Sequence, residues 1–209
     1  WTLQDLLPGA GWGVIDATGR PKSTFYALKR AFRPVQLVLS DEGTNGLDIH
    51  VINDSAVTRD LSVELACLRD GRQVVVSGAT TLTLDARHGV TFAATDLFGA
   101  FFDTTYAYRF GPPSHDVTVA RLKDAASGEV IAEAFDFPLG RTRALHPAAK
   151  IEAGLVKGED GGWMLRLSTD RLAQSVSITL DGFRAAENGF HMAPGSVKQV
   201  ALIPLAGTV

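Results

Sequence analysis

Short stretches of alternating apolar and polar residues, separated by turn sequences, fill the chain between residues 34 and 140. "VQLVLSD" and "LDIHVIN" flank "EGTNG", and "LSVELACL" and "QVVVSG" flank "RDGR". More segments of this kind follow: "TLTLDA", "VTFAATDL", "TYAYRF", "DVTVARLKD" and "EVIAEAFDF". Alternation puts every second side chain on one face of a strand, and closely spaced turns are typical of immunoglobulin-like sandwiches. The sequence therefore predicts a mainly β protein with an antiparallel sandwich over 34–140.

A second, smaller β region is predicted over residues 146–209, after the proline-containing segment "PLGRTRALHPA". Its strands are "AKIEAGLVK", "GGWMLRLSTD", "QSVSITLDG" and "VKQVALIPL". Trp163, Leu165 and Leu167 alternate along the second of these strands and are predicted to face the core. A region this short buries little surface by itself. We therefore expect a small immunoglobulin-like sandwich that is stabilised by a neighbouring part of the protein.

Residues 1–33 lack the alternating pattern of the two β regions. They begin with a loop rich in glycine and continue with "PKSTFYALKRAFR", which predicts a helix over 21–33 bounded by prolines. Phe25, Leu28 and Phe32 form one apolar stripe on this helix. We expect the stripe to pack against the first sandwich or against a second copy of the chain, which would make a dimer.

Composition and spacing argue against several chemistries. The net charge is −3, whereas a nucleic-acid surface needs clustered Lys and Arg, and no apolar run is long enough to cross a bilayer. The five histidines form no pair with metal-ligand spacing, so no metal and no other cofactor is expected. The single cysteine, Cys67, continues the alternation of Leu61, Val63 and Leu65 in "LSVELACL", which predicts a buried thiol rather than a nucleophile.

Aromatic residues cluster in "DLFGAFFDTTYAYRFGPP". Tyr106, Tyr108 and Phe110 alternate as on a strand and are predicted to belong to the core. Phe98, Phe101 and Phe102 precede them in a loop, where they would either stack on a sugar or pack against another part of the protein. Packing is the preferred interpretation, because sugar platforms favour Trp and Tyr, whose polar atoms also form hydrogen bonds.

Residues 1–34 resemble a segment of the β-mannosidase-like glycoside hydrolases of family 2. In that family the segment closes the catalytic (β/α)8 barrel, from the end of strand eight through a loop into helix eight. The most diagnostic run is Gly-Arg-Pro-Lys at the start of the helix. The matching residues are Trp1, Leu3, Asp5, Pro8, Trp12, Asp16, Gly19, Arg20, Pro21, Lys22, Tyr26, Ala27, Leu28, Lys29, Arg30 and Ala31. Near the C-terminus "AENGFHMAPG" matches a second family motif at Asn188, Phe190, Pro194 and Gly195.

The resemblance implies that 1–33 are a barrel remnant and that two immunoglobulin-like domains follow. It also implies a retaining mechanism with a glutamate acid/base and a glutamate nucleophile. Both glutamates lie on earlier barrel strands in the family, so this chain is expected to hold no catalytic residue and to be inactive by itself. Trp1 is expected to line the sugar subsite of the intact enzyme, with Asp5 and Trp12 as further candidates.

The expected partners are therefore the missing barrel and, in the intact enzyme, a β-linked sugar. Thr2, Gln4, Leu7 and Gly11 depart from the family pattern near the barrel mouth. The substrate accordingly stays open between a β-mannoside and another β-glycoside such as a β-glucosaminide. A carbohydrate-binding sandwich and a partner-binding module without enzymatic context are the alternative interpretations. The compartment is open as well, between bacterial cytoplasm and periplasm or secretion.

Overall fold

The computed structural model describes residues 2–141 and 148–205. It confirms the prediction of a mainly β protein with antiparallel sandwiches. Besides a short 3-10 helix at Gly43–Asn45, the elements in chain order are α1 (Ser23–Ala31), β1 (Val35–Asp41), β2 (Leu47–Asn53), β3 (Arg59–Arg69), β4 (Gln73–Leu84), β5 (His88–Ala93), α2 (Ala94–Phe98), β6 (Val117–Asp124), β7 (Val130–Asp136), β8 (Ile151–Lys157), β9 (Trp163–Thr169), β10 (Ala173–Val176), β11 (Phe183–Ala185), β12 (Phe190–Met192) and β13 (Val197–Pro204).

The chain divides into two compact units. The central unit is Pro34–Ala148, and the terminal unit combines Trp1–Arg33 with Ala149–Val209. The opening segment therefore shares a unit with the C-terminal β region, although the central unit separates the two in sequence.

The central unit is a seven-stranded sandwich. One sheet has the order β1-β2-β5 and the other β4-β3-β6-β7, with antiparallel pairing throughout. Alternate residues of both sheets meet in one core, for example Ile49 and Val51 from β2 and Val63 and Leu65 from β3. Burying each such side chain contributes about 1.5–3 kcal/mol, which makes this core the main source of stability in the unit.

Three details of the central unit differ from the sequence prediction. "QVVVSG" and "TLTLDA" form one continuous strand, β4, and "VTFAATDL" ends in the short helix α2. The segment "TYAYRF" is not a strand: Tyr106 and Arg109 adopt left-handed φ values of 55° and 54°. The Asp103 carboxylate accepts hydrogen bonds from the backbone N–H groups of Ala107 and Tyr108 instead, at 3.0 and 3.1 Å. This local bonding replaces the strand ladder that the alternation predicted.

The terminal unit contains two antiparallel sheets, β11-β13-β9-β8 and β10-β12. Leu167, Val176, Phe190, Met192 and Val200 form the centre of their shared core. The alternation predicted that Trp163 faces the core, but its side chain is 41% exposed. The Lys157 ammonium lies 3.9 Å from the centre of its ring, in a cation–π contact.

Candidate functional site

The opening loop, residues 2–22, is folded around the carboxylate of Asp5. Asp5 is only 8% exposed; it accepts a hydrogen bond from the Gly13 N–H at 2.7 Å and forms an ion pair with Lys22. The Lys22 ammonium also donates to the Gly11 carbonyl at 3.0 Å. The hydrogen bond from Lys22, followed by that from Gly13, lowers the pKa of Asp5 below its ordinary value. The carboxylate is therefore a fixed anion in the centre of the loop.

The two glycines beside Asp5 have a steric role. A Cβ atom added at Gly11 would lie 2.2 Å from Asp5 Oδ1, and one at Gly13 would lie 2.6 Å from the same oxygen. No real Cβ atom sits so close to an oxygen. The glycines of "GAGWG" thus allow the backbone to wrap the carboxylate.

The Gly-Arg-Pro-Lys run is a turn that leads into α1. Asp16 Oδ1 accepts from the backbone N–H groups of Thr18 and Arg20 at 2.8 and 2.9 Å, and Gly19 takes the left-handed φ of 83°. The Lys22 N–H then donates to the Val14 carbonyl at 2.9 Å. Lys22 is the N-cap residue of α1, so the same residue ends the turn, begins the helix and holds Asp5.

Helix α1 docks on five consecutive residues of the terminal unit, 185–189, which we call the acceptor segment. The Tyr26 hydroxyl donates to the Ala185 carbonyl at 3.1 Å, and the Lys29 ammonium donates to the Ala186 carbonyl at 2.8 Å. Arg30 donates to the carbonyls of Asn188 and Gly189 at 2.9 and 3.1 Å. Loop carbonyls that would otherwise need water are thereby satisfied by helix side chains.

Glu187 is the charged member of the acceptor segment. Its carboxylate oxygens lie 3.6 Å from Lys29 Nζ, 3.2 Å from Arg30 Nη1 and 3.2 Å from Arg33 Nη2. The Glu187 side chain is 15% exposed, so solvent screens these pairs only in part. A carboxylate near the negative end of a helix is unfavourable by itself. The three cations compensate for that repulsion.

The docking face of α1 is not the predicted apolar stripe. The buried side chain is Tyr26, at 4% exposure, whereas Leu28 and Phe32 are 37% and 80% exposed. The polar ends of Tyr26, Lys29 and Arg30 reach main-chain acceptors that a purely apolar face would leave unsatisfied. The dimer through the stripe stays a prediction.

The motif near the C-terminus also has a structural explanation. Asn188 Oδ1 accepts from the Ile178 N–H at 2.8 Å, and its amide donates to the Ile178 carbonyl at 2.9 Å. Phe190 is buried, and Gly195 has a left-handed φ of 71° in the following turn. The two motifs that the sequence analysis singled out therefore meet, at α1 and the acceptor segment.

The other predicted site residues of the opening loop lie on its surface or outside the described residues. Trp1 lies outside them. Trp12 is 77% exposed, and Leu6 and Leu7 are 94% and 78% exposed. Asp5, by contrast, is enclosed by its own loop. Its carboxylate shapes the loop through Gly13 and Lys22, and its part in substrate binding stays a prediction.

The aromatic cluster of the central unit separates into two groups. Phe98 and Phe102 contact each other, with ring centres 5.9 Å apart, and Phe102 also contacts the buried His115 at 5.3 Å. Phe98 packs against the sandwich core. Of the three predicted loop aromatics, Phe101 is the one on the surface, at 70% exposure.

Phe101 belongs to an exposed aromatic row with Tyr108 and Phe110. The Phe101 and Tyr108 ring centres are 5.5 Å apart, and the Tyr108 and Phe110 rings stack at 5.8 Å with 21° between their planes. Phe110 is 85% exposed. The Tyr108 hydroxyl donates to the Thr44 carbonyl at 3.0 Å, which fixes the middle ring. Sequence analysis assigned Tyr108 and Phe110 to the core, because their alternation resembles that of a strand.

An open cavity of about 570 Å³ is lined by residues of the same loop, among them Tyr106 and Arg109. Asp41, Thr105 and Arg109 supply its polar groups, and Pro138 and Leu139 its apolar wall. The Thr105 hydroxyl donates to the Gly43 carbonyl at 2.6 Å and so braces this rim. The cavity thus brings a carboxylate, a guanidinium and a hydroxyl together with the Tyr106 ring.

Within residues 2–141 and 148–205, no three His, Cys, Asp or Glu side chains are grouped so that they could hold a metal ion. In the same ranges, no helix has the length and apolarity needed to span a bilayer. Cys67 is fully buried, and burial raises the pKa of its thiol to about 11, which agrees with the predicted core role.

Comparison with known proteins supports the resemblance. No protein-family model matches the chain. The chain is 21% identical, over 97% of its length, to β-mannosidase B of Aspergillus clavatus. The structure superposes on that of a β-D-mannosidase from Dictyoglomus thermophilum with a TM-score of 0.79, 18% identity and coverage of the entire chain. It also superposes on an exo-chitosanase of Amycolatopsis orientalis in complex with PNP-β-D-glucosamine, with a TM-score of 0.68, 15% identity and 97% coverage.

The chain spans about a quarter of the length of each of these proteins: 24% of both β-mannosidases and 27% of the exo-chitosanase. The resemblance to β-mannosidase-like glycoside hydrolases that the two motifs predict is thus confirmed, and it extends over the whole chain. It is a resemblance to one region of longer proteins.

Proposed function

We propose that this chain is the C-terminal region of a retaining β-glycosidase of the family 2 type and that it works as a non-catalytic part of that enzyme. The proposal is supported by one observation above others. The opening motif folds into a loop and a helix that dock on the second motif, and the chain aligns end to end with a quarter of two β-mannosidases.

In the proposed enzyme the catalytic barrel is the chief partner of this region. The exposed side chains Leu6, Leu7 and Trp12 form an apolar edge of a kind that a neighbouring domain covers. Trp1 and Trp12 are proposed to contribute to the sugar subsite there, because an aromatic face stacks on the apolar C–H face of a pyranose. Asp5 is proposed to shape the loop that carries them.

The proposed substrate is a terminal β-D-mannoside, with a β-glucosaminide as the alternative. The relatives include two β-mannosidases and an exo-chitosanase solved with a β-D-glucosamine derivative, so both sugars are represented among them. These two sugars differ at C2, in the orientation of the substituent and in its being a hydroxyl or an amine. A residue close to C2 would therefore decide between them.

The test compares the 209-residue chain with the full polypeptide encoded by its gene. We expect no hydrolysis of aryl β-mannoside or aryl β-glucosaminide by the chain, and hydrolysis of one of them by the full polypeptide. NMR of the first product should show retention of the β-configuration. A gene that encodes no barrel before Trp1, or an isolated chain that cleaves either substrate, would contradict the proposal.

A second candidate function is sugar binding by the central unit. It is favoured by the exposed aromatic row Phe101, Tyr108 and Phe110, and the same loop also lines a cavity that contains Asp41 and Arg109. Flat rings next to hydrogen-bonding groups suit a pyranose.

Titration of the chain with manno-oligosaccharides, followed by NMR, tests this second function. We expect saturable shifts that are lost in Phe110→Ala and kept in Phe32→Ala, which removes an equally exposed ring from the terminal unit. Equal shifts in both variants, or none in the unsubstituted chain, would refute sugar binding.

A further inference from the structure

Helix α1 connects two charged contacts of the terminal unit, one made by Glu187 and one by Asp5. Glu187 pairs with cations near the C-terminal end of α1, and Lys22 at the N-cap of the same helix pairs with Asp5. Helix α1 has nine residues. It therefore transmits the position of one end to the other over about 13 Å.

The position of α1 depends on its docking. A helix of nine residues is marginal in water by itself, because nucleation costs more than so few hydrogen bonds return. Its buried residue is Tyr26, and polar contacts from Tyr26, Lys29 and Arg30 hold it on the acceptor segment. Among the acceptors, the four carbonyls are fixed by the backbone. Glu187 supplies the charge that three cations share, so it is the one acceptor that a substitution can remove without changing the backbone.

Lys22 holds the opening loop at several points. The Lys22 ammonium bonds both Asp5 and the Gly11 carbonyl, while its backbone N–H holds Val14. Gly13 donates to Asp5 and leaves no room for even a Cβ atom. A displaced Lys22 therefore cannot keep these contacts unless the loop moves with it.

We propose that Glu187 is a positioning residue for the opening loop, acting through α1 and the Lys22–Asp5 pair. The loop carries Leu6, Leu7 and Trp12 on its exposed edge. Insofar as the proposed function holds, this edge adjoins the sugar subsite. The C-terminal sandwich then has a role in substrate binding, although it contributes no group that touches the sugar.

Amide hydrogen exchange measured by NMR on the 209-residue chain tests the coupling. Glu187→Gln keeps the shape of the side chain and removes its charge. We expect exchange to become about tenfold faster at the α1 amides and also at the Gly13 amide, as follows from losing a charge-assisted contact in a partly buried site. Glu187→Asp keeps the charge and should restore most of the protection at both places.

Glu64→Gln is the matched control, because Glu64 pairs with Lys123 at 2.6 Å in the central unit. It should leave exchange in α1 and at Gly13 unchanged. Lys22→Met tests the direction of the coupling: it should release Gly13 while the Gly189 amide, which donates to the Val176 carbonyl, stays protected. Unchanged exchange at Gly13 in Glu187→Gln would overturn the proposal, whether or not the α1 amides exchange faster.

The full polypeptide provides a second measurement. We expect Glu187→Gln to raise KM about tenfold with a smaller change in kcat, and Glu64→Gln to change neither. An active full enzyme whose KM is unaffected by Glu187→Gln would refute the role in substrate binding. Absence of any glycosidase activity in the unsubstituted enzyme would count against the proposed function alone, because the exchange result does not depend on catalysis.

Discussion

His115 of the central unit should make stability depend on pH in a way that one substitution can isolate. The imidazole is 2% exposed and lies against the Phe102 ring. Its two nitrogens are within hydrogen-bond distance of Ser114 Oγ at 3.0 Å and Thr118 Oγ1 at 3.2 Å. Burial lowers the pKa of His115 from 6.5 to about 4, because the charged form loses its hydration.

The size and sign of the effect follow from this difference in pKa. The unfolded chain binds a proton at His115 below pH 6.5, whereas the folded chain resists it until about pH 4. The neutral imidazole therefore contributes stability that is present above pH 6.5 and is lost as the pH falls toward 4. One pKa unit corresponds to about 1.36 kcal/mol, so the loss amounts to about 1.5 kcal/mol at pH 5.5 and about 2.5 kcal/mol at pH 4.5.

The assay is urea unfolding at pH 7.5, 5.5 and 4.5, with far-UV circular dichroism as the signal. All three tryptophans belong to the terminal unit, so their fluorescence follows that unit and identifies the transition of the central one. His115→Gln removes the titrating group, and His88→Gln, at an exposed position, is the control. The difference between His115→Gln and the unsubstituted chain should shrink by the stated amounts as the pH falls. Parallel pH profiles would refute the reasoning.

Three further predictions concern the central unit, and one control position, Gly154, lies in the terminal unit. Burial, followed by the charge of Asp41, raises the pKa of Asp136 from 3.8 to about 6. The protonated carboxyl therefore contributes stability that is complete below pH 3.8 and is lost as the pH rises through 6. Asp136→Asn should stabilise the unit by about 1–2 kcal/mol at pH 7.5, after allowing for solvent screening, and by less at pH 5. A Cβ atom at Gly78 would lie 2.1 Å from the Leu97 carbonyl oxygen, so Gly78→Ala should cost about 2–4 kcal/mol in urea unfolding, whereas Gly154→Ala, in open space, should change stability by less than about 0.5 kcal/mol. The Cys67 thiol should react with a disulfide reagent at pH 8 at least about 100-fold faster in urea than in the folded chain, and equal rates would show that the thiol is accessible.

The strands were predictable where the alternating apolar side chains are the ones that the core buries. In β2 and β3, every second side chain enters the core, and the sequence shows it directly. Alternation misled at "TYAYRF", since the aromatic residues there stack on one another outside the sandwich while Asp103 bonds the backbone. The spacing of apolar residues does not indicate whether the backbone bonds to a neighbouring strand or to a nearby side chain such as Asp103.

The docking of α1 was not predictable from periodicity either. Four of the five members of the acceptor segment act through main-chain carbonyls, which every residue possesses, so their sequence carries no signal. The sequence of the helix did indicate that it binds an anionic group. Lys29, Arg30 and Arg33 cluster at the end of a helix that has no acidic residue, so they had to find anions elsewhere.

The contacts that dock α1 join residues 154–159 positions apart in the chain. On a ribosome that adds about 5–20 residues per second, the helix is therefore synthesised roughly 8–30 s before its acceptors. The central unit lies wholly between the two halves and is complete first, so it can fold while the opening segment waits. The terminal unit can consequently assemble only after residues 185–189 have been made, and a nascent chain stalled before residue 185 would expose an undocked helix to chaperones and proteases.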